Sequence, residues 1–134
     1  MTGFYLAAPY RRRAELQGYA RDLEAIGHTV TSRWLDGSHD CCDDATPSDE
    51  QRAVWAAEDL DDIDASNALI LFTDDDSCRG GCMIEFGYAL HVVSGLVVVG
   101  PRVNVFCCLR AVRQYDTWIR ALASLIDWEE GNDG

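Results

Sequence analysis

Positive charge is scarce in this chain: 11 basic residues face 23 acidic ones over 134 positions, a formal net charge of −12 at pH 7. That balance repels a phosphate backbone unless a local basic patch overrules it, so duplex DNA and RNA are not expected partners. Long hydrophobic runs are also missing, and no segment approaches the length a membrane helix needs. The opening MTGFYLAAPYRRR carries its charges after its short apolar segment rather than before it, the reverse of a secretory leader. A soluble, cytoplasmic protein is expected. Neither an internal repeat nor the pyrophosphate fingerprint G-x-G-x-x-G occurs, so no dinucleotide cofactor is indicated. No Ser-His-Asp arrangement can be argued, and His28 and His91 stand without a ligand or triad partner at a recognisable spacing.

Metal-ligand spacing is nearly absent too. Of the six cysteines, Cys41–Cys42 and Cys107–Cys108 are adjacent pairs, whereas tetrahedral zinc sites usually place two to four residues between ligands. Only Cys78 and Cys82 are suitably spaced, and a site joining them to Cys41 or Cys42 and His39 is the weaker reading. Free thiols in a reducing compartment are the default, with no metal expected.

What is present is alternation. Hydrophobic residues make up 48% of the chain, enough for one compact domain over residues 1–134. GFYLAA reads as a strand, and the helix after it carries Leu16, Tyr19, Ala20, Leu23 and Ile26 on one face until Gly27 stops it. HTVTSRW reads as a second strand, and the polar LDGSHDCCDDATPSD as a long surface loop of the kind that serves as a lid or a binding loop. Ser48 or Asp49 caps a helix whose apolar face is Ala53, Ala56, Ala57, Leu60 and Ile63. NALILFT and GLVVVG are continuous apolar runs, the pattern of strands buried on both faces of a parallel sheet. A helix over residues 82–93 lies between them. NVFCCL is expected to add a short fifth strand, QYDTWIRALASLI a last helix, and the acidic residues from about 127 a frayed tail. The sum is a doubly wound, flavodoxin- or Rossmann-like α/β fold: a parallel sheet of about five strands with helices on both faces.

In such folds ligands bind beyond the carboxyl ends of the strands, here residues 7–13, 33–36, 73–82 and 100–104. Glu85 lies near that edge on an otherwise apolar helix. It either complements the helix dipole as a first-turn acid or points into a cleft. The acidic EDLDDID supplies partners for it. On a helical wheel Asp62 points away from the apolar face, Asp59 and Asp61 flank it, and Asp64 falls close to it. Periodicity alone does not choose among Asp59, Asp61 and Asp64. Two carboxylates meeting at a sheet edge are what glycosidic-bond chemistry requires, one as nucleophile and one to manage the leaving group's proton.

Together FYLAAPY, the DL of AAEDLDDIDASNALILFTD, GGCMIEFGYAL and GPRVNVF resemble the nucleoside 2-deoxyribosyltransferase family, including its relatives that hydrolyse nucleoside 5′-monophosphates. The resemblance runs over residues 4–109. It implies that Glu85 is the nucleophile attacking the anomeric carbon and that Asp59 protonates the departing base. It implies that Tyr5 orients the glutamate; ribonucleotide-cleaving relatives carry phenylalanine there, so Tyr5 implies a preference for 2′-deoxy sugars. Asn104 matches a residue lent by a neighbouring subunit to the sugar's 5′ end, with Phe106 beside it, which implies at least a homodimer. No cofactor is implied.

One departure bears on the substrate. Where transferases of free nucleosides carry an aspartate six positions before the nucleophile, this chain has Arg79, preceded by Ser77 and followed by Gly80 and Gly81. An arginine on a glycine-rich turn into a helix suits a 5′-phosphate rather than a 5′-hydroxyl. Arg11, with Arg12 and Arg13, would add a local positive patch near the same cleft, although an exposed helix face is the better reading of the run. Trp34 and Tyr10 lie at strand ends where a base could stack.

Overall fold

The computed structural model describes residues 2–37, 47–75 and 80–128. Five strands, β1 (Gly3–Ala7), β2 (Thr29–Val30), β3 (Ala68–Phe72), β4 (Gly95–Val99) and β5 (Val112–Tyr115), form one sheet in the order β2-β1-β3-β4-β5. Every neighbouring pair is parallel. Helices α1 (Arg13–Ala25), α2 (Asp49–Asp64), α3 (Gly80–Val92) and α4 (Trp118–Leu125) connect and close it. α1 packs with α4 and α2 with α3, so the sheet is covered on both faces. The doubly wound architecture expected from the alternation is what the chain adopts.

β1, β3 and β4 are buried along their whole length, which is why they read as unbroken apolar runs. α1 ends in a Schellman arrangement: Gly27 takes φ 96°, its N–H bonds the Glu24 carbonyl at 3.1 Å, and the His28 N–H bonds the Leu23 carbonyl at 3.1 Å. His28 is itself buried. Its Nδ1 accepts the Thr2 N–H at 3.3 Å and its Nε2 lies 2.7 Å from the Leu125 carbonyl, tying the start of β1 to the end of α4.

Several local expectations change. The second strand keeps only Thr29–Val30, because Arg33–Asp36 turns into a 3-10 helix that ends at Gly37. NVFCCL is not a strand: the Asn104 side chain accepts the N–H groups of Phe106 (3.0 Å) and Cys107 (3.2 Å), capping a 3-10 turn over Val105–Cys108. The fifth strand comes later, at an edge that is only partly buried, and so lacks the continuous apolar run of the others. Of the acidic tail expected to fray, residues 129–134 lie outside the described residues. Trp128 is buried, edge-on to Phe4 at 5.9 Å and covered by the Arg113 guanidinium 4.3 Å from its ring centre. Residues 38–46, most of the expected lid loop, lie outside the described residues.

Candidate active site

The strand order reverses at β1 and β3: the chain leaves β1 toward β2 on one side and returns to β3 on the other. At such a switch point the loops diverge and leave a cleft above the carboxyl ends. Tyr5, in the middle of β1, is fully buried, and its hydroxyl donates a hydrogen bond to Glu85 Oε2. Glu85 sits in the second turn of α3, which has no acidic residue in its first turn. Dipole complementation fades within one turn, so it does not explain a half-buried acid at this place.

The Tyr5 hydroxyl is held far above its ordinary pKa, first by burial and then by the negative charges of Glu85, Asp59 and Asp62. It therefore remains a donor throughout the usable pH range. The same finding places Asp59 within electrostatic reach of the Tyr5–Glu85 pair. Asp59 is half-buried with Oδ1 shielded from solvent, and it lines a cleft of about 350 Å³ together with Tyr10, Arg52, Trp55 and Ala56. That volume lies within the range of small-molecule sites. Of the other candidates left open by the helical wheel, Asp61 and Asp64 are exposed, and Asp64 accepts the Tyr88 hydroxyl at 2.7 Å.

The orientation of α2 departs from its apolar pattern. Of its expected apolar face Leu60 and Ile63 turn inward but Ala53, Ala56 and Ala57 are exposed, whereas Trp55, Glu58, Asp59, Asp62 and Ile63 are buried or half-buried. Those positions follow i, i+3, i+4, i+7, i+8, a regular helical stripe. Asp62, expected to face away, is 6% exposed. Alanine contributes little apolar area, so a few stronger interactions set the rotation of this helix instead. Arg52 and Trp55, which line the cleft, had no sequence signal as site residues; a search for cleft-facing positions one turn before Asp59 would have found Trp55.

The arginine run is not a free positive patch. Arg12 is 8% exposed and forks onto Glu15 (2.9 and 2.8 Å) and Asp74 (2.8 and 3.3 Å). It therefore anchors the segment that follows β3 and leads toward α3. Arg13 covers the ring of Tyr10 at 5.6 Å, and the outward Arg11 lies 3.8 Å from Asp75. The same segment is held from β4: Thr73 Oγ1 donates to the Pro101 carbonyl at 2.7 Å. Gly100 has φ 120°, and a Cβ there would stand 2.6 Å from the Asp74 nitrogen.

Trp34 is buried, its indole N–H donates to the Leu6 carbonyl at 2.9 Å, and its ring meets Tyr10 at 5.9 Å. It supports Tyr10 from behind and is not among the residues lining the cleft. Gly80 and Gly81 are exposed at the start of α3, while Ser77 and Arg79 lie outside the described residues. Asn104 and Phe106 stand apart from the Asp59 cleft. With Met83, Phe86, Gly87, Leu90 and His91 they line a separate groove of about 470 Å³ along α3, where Asn104 Nδ2 meets Met83 Sδ at 3.4 Å. Among the described residues no group of three or more His, Cys, Asp or Glu side chains could hold a metal ion. The combination of Cys41, Cys42, Cys78 and His39 falls outside them.

A 2-1-3-4-5 parallel sheet, with Tyr5 bonded to Glu85 at its switch point and a cleft beside Asp59, defines a flavodoxin-like α/β domain. Solved structures of the same fold include a 2-deoxyribosyltransferase from the psychrotolerant bacterium Bacillus psychrosaccharolyticus, at 18% identity and a TM-score of 0.71 over 98% of this chain and 95% of that one. A CMP N-glycosidase of Clostridium botulinum matches at 17% identity and a TM-score of 0.59, over 94% of this chain and 99% of that one. A conserved protein from Enterococcus faecalis matches at 16% and 0.58, over 92% and 96%. No protein-family model matches the chain, and no curated protein matches it in sequence.

Proposed function

We propose that the protein breaks the N-glycosidic bond of 2′-deoxynucleosides or their 5′-monophosphates by two displacements at the anomeric carbon. The observation that carries this reading is the hydrogen bond from the buried Tyr5 hydroxyl to Glu85, with Asp59 bearing on the same hydroxyl. Glu85 attacks the anomeric carbon, the C–N bonding pair leaves with the base, and Asp59 delivers a proton to that base. Water or a second base, deprotonated by Asp59, then attacks the same carbon and expels the Glu85 carboxylate, with net retention. Tyr5 orients the glutamate in the first step and stabilises it as the leaving group in the second. The cleft beside Asp59 suits a flat heterocycle, walled by Tyr10 and Trp55 with Arg52 at its rim.

The 5′ end of the sugar is assigned to the start of α3, with Ser77, Arg79, Gly80 and Gly81, and Arg11 nearby. Asn104 and Phe106 are assigned to a neighbouring subunit's site, which makes the active form a homodimer or larger. An outward apolar surface supports that assembly: Ile84, Val105 and Phe106 are 69%, 76% and 56% exposed.

The test is base release from a panel of 2′-deoxynucleosides and 5′-monophosphates, followed chromatographically for the wild type and Glu85→Ala. Loss of release in Glu85→Ala is expected; release at the wild-type rate would refute the mechanism. Adding a second base distinguishes transfer from hydrolysis. Faster turnover of the monophosphate than of the free nucleoside is the outcome expected from Arg79.

A further inference from the structure

The inner stripe of α2 carries two carboxylates, and the proposed chemistry uses only one of them. Asp62 is buried, yet neither of its oxygens is aimed at the cleft: Oδ2 accepts the Arg33 backbone N–H at 2.8 Å and Oδ1 accepts Arg33 Nε at 2.7 Å. The same guanidinium extends Nη2 to the Glu58 carbonyl, 3.3 Å away. Arg33 thus grips both ends of the helical turn from Glu58 to Asp62. Asp59 lies on that turn.

Packing holds this helix mainly through Ile63 and the half-buried Leu60 at its C-terminal end, since Asp62 and Ile63 are its only fully buried residues. A helix advances about 100° per residue, so a small rotation about its axis swings every side chain on it. Whatever sets the rotation of α2 therefore sets the direction of Asp59. Arg33 enters from the 3-10 turn just beyond β2, at the sheet's carboxyl edge, and its fork fixes two points of the turn at once.

We propose that Arg33 and Asp62 are a positioning pair that fixes the rotation of α2 and so aims Asp59 at the leaving base. The inference rests on the N-glycosidic reading above, which gives Asp59 the proton transfer. Asp62 is not a second acid in the reaction, because a bound arginine occupies both its oxygens. Its charge also reaches the Tyr5 hydroxyl, which puts the pair inside the field of the reacting groups.

The test measures base release and thermal melting for the wild type, the double variant Arg33→Met with Asp62→Leu, Arg33→Lys, and Glu85→Ala. The double variant replaces both charges by apolar groups of similar size; the Arg33 side chain is half exposed, so no buried charge is left unpaired and the main loss is the acceptor of the Arg33 N–H. It is expected to fold and to lose kcat on the order of 10²-fold, as misaimed catalytic groups do. Its KM is expected to rise by much less than kcat falls, since the same rotation shifts Trp55 in the cleft wall but proton delivery depends on the aim of Asp59 alone. Arg33→Lys keeps the charge but not the fork, and its kcat falls between the two. Wild-type kcat in the folded double variant overturns the inference. Should the double variant fail to fold, wild-type kcat in Arg33→Lys overturns it equally. Base release that survives Glu85→Ala overturns the underlying reading instead, whatever the clamp variants do.

Discussion

The Tyr5 hydroxyl and the Glu85 carboxylate, eighty positions apart in the chain, are joined by a hydrogen bond between the buried strand β1 and helix α3. Removing the hydroxyl with Tyr5→Phe leaves the carboxylate unoriented in both displacements. The expected loss in kcat is about 10- to 100-fold, the effect of one misplaced hydrogen bond to a reacting group. Discrimination against ribonucleosides is expected to weaken in the same variant. Steady-state kinetics on paired deoxy and ribo substrates measure both.

Tyr5 also predicts a pH dependence of stability. Its folded pKa lies above its unfolded value, so its contribution is complete below the ordinary tyrosine range and is lost as pH rises beyond it. Tyr19, pushed up to about 12 by burial and by its bond to Glu15, acts in the same direction. Urea unfolding should therefore show stability falling from about pH 10 upward. Tyr5→Phe should flatten that fall, and an unchanged alkaline slope would contradict it.

Arg12 fastens the segment after β3 to the start of α1. Arg12→Met removes a buried guanidinium from two carboxylates that are themselves exposed to solvent and is expected to cost about 1–3 kcal/mol, measured by urea denaturation. The Arg12 guanidinium also holds Glu15 below the usual carboxylate range, so this part of the stability is present at neutral pH. It is lost as pH falls through the lowered value, and the acid limb of the stability profile should shrink in Arg12→Met.

Two tryptophans near the cleft are expected to behave oppositely. Trp34→Phe breaks the buried bond to the Leu6 carbonyl and should cost about 1–3 kcal/mol of stability with KM unchanged. Trp55→Ala removes a wall of the cleft and should raise KM with little effect on the melting temperature. A raised KM in Trp34→Phe would place that ring against the substrate after all.

Assembly can be tested on the outward face of α3 and the turn after β4. Ile84→Asp or Phe106→Asp puts a charge on an exposed apolar surface and should leave a monomer in sedimentation velocity. If Asn104 serves a neighbour's site, activity should fall together with the oligomer.

Much of the fold was legible because the signals are local. β1, β3 and β4 are buried on both faces and announce themselves as apolar runs, and Gly27 ends α1 where the periodic pattern stops. β5 was not legible: an edge strand with half-buried Arg113, Gln114 and Tyr115 has no continuous apolar signature. The 3-10 turn over Val105–Cys108 hid behind strand-like residues because a single side chain, Asn104, redirected their backbone. In the candidate site, periodicity narrowed the partner of Glu85 to three aspartates, and the choice of Asp59 came from resemblance. The wheel misplaced Asp62 because it ranks residues by polarity and cannot register a distant arginine.

The sequence by itself determined the order of strands and helices and the doubly wound topology, since hydrophobic periodicity and turn chemistry act over a few residues. It also brought Glu85 to the sheet's carboxyl edge. Only the tertiary structure decided which acids turn inward. Asp62 is buried because Arg33, twenty-nine positions away, compensates its charge, and Glu85 is held because Tyr5 meets it from another strand. Burial of a charge depends on its partner in space, and that partner has no fixed distance along the chain.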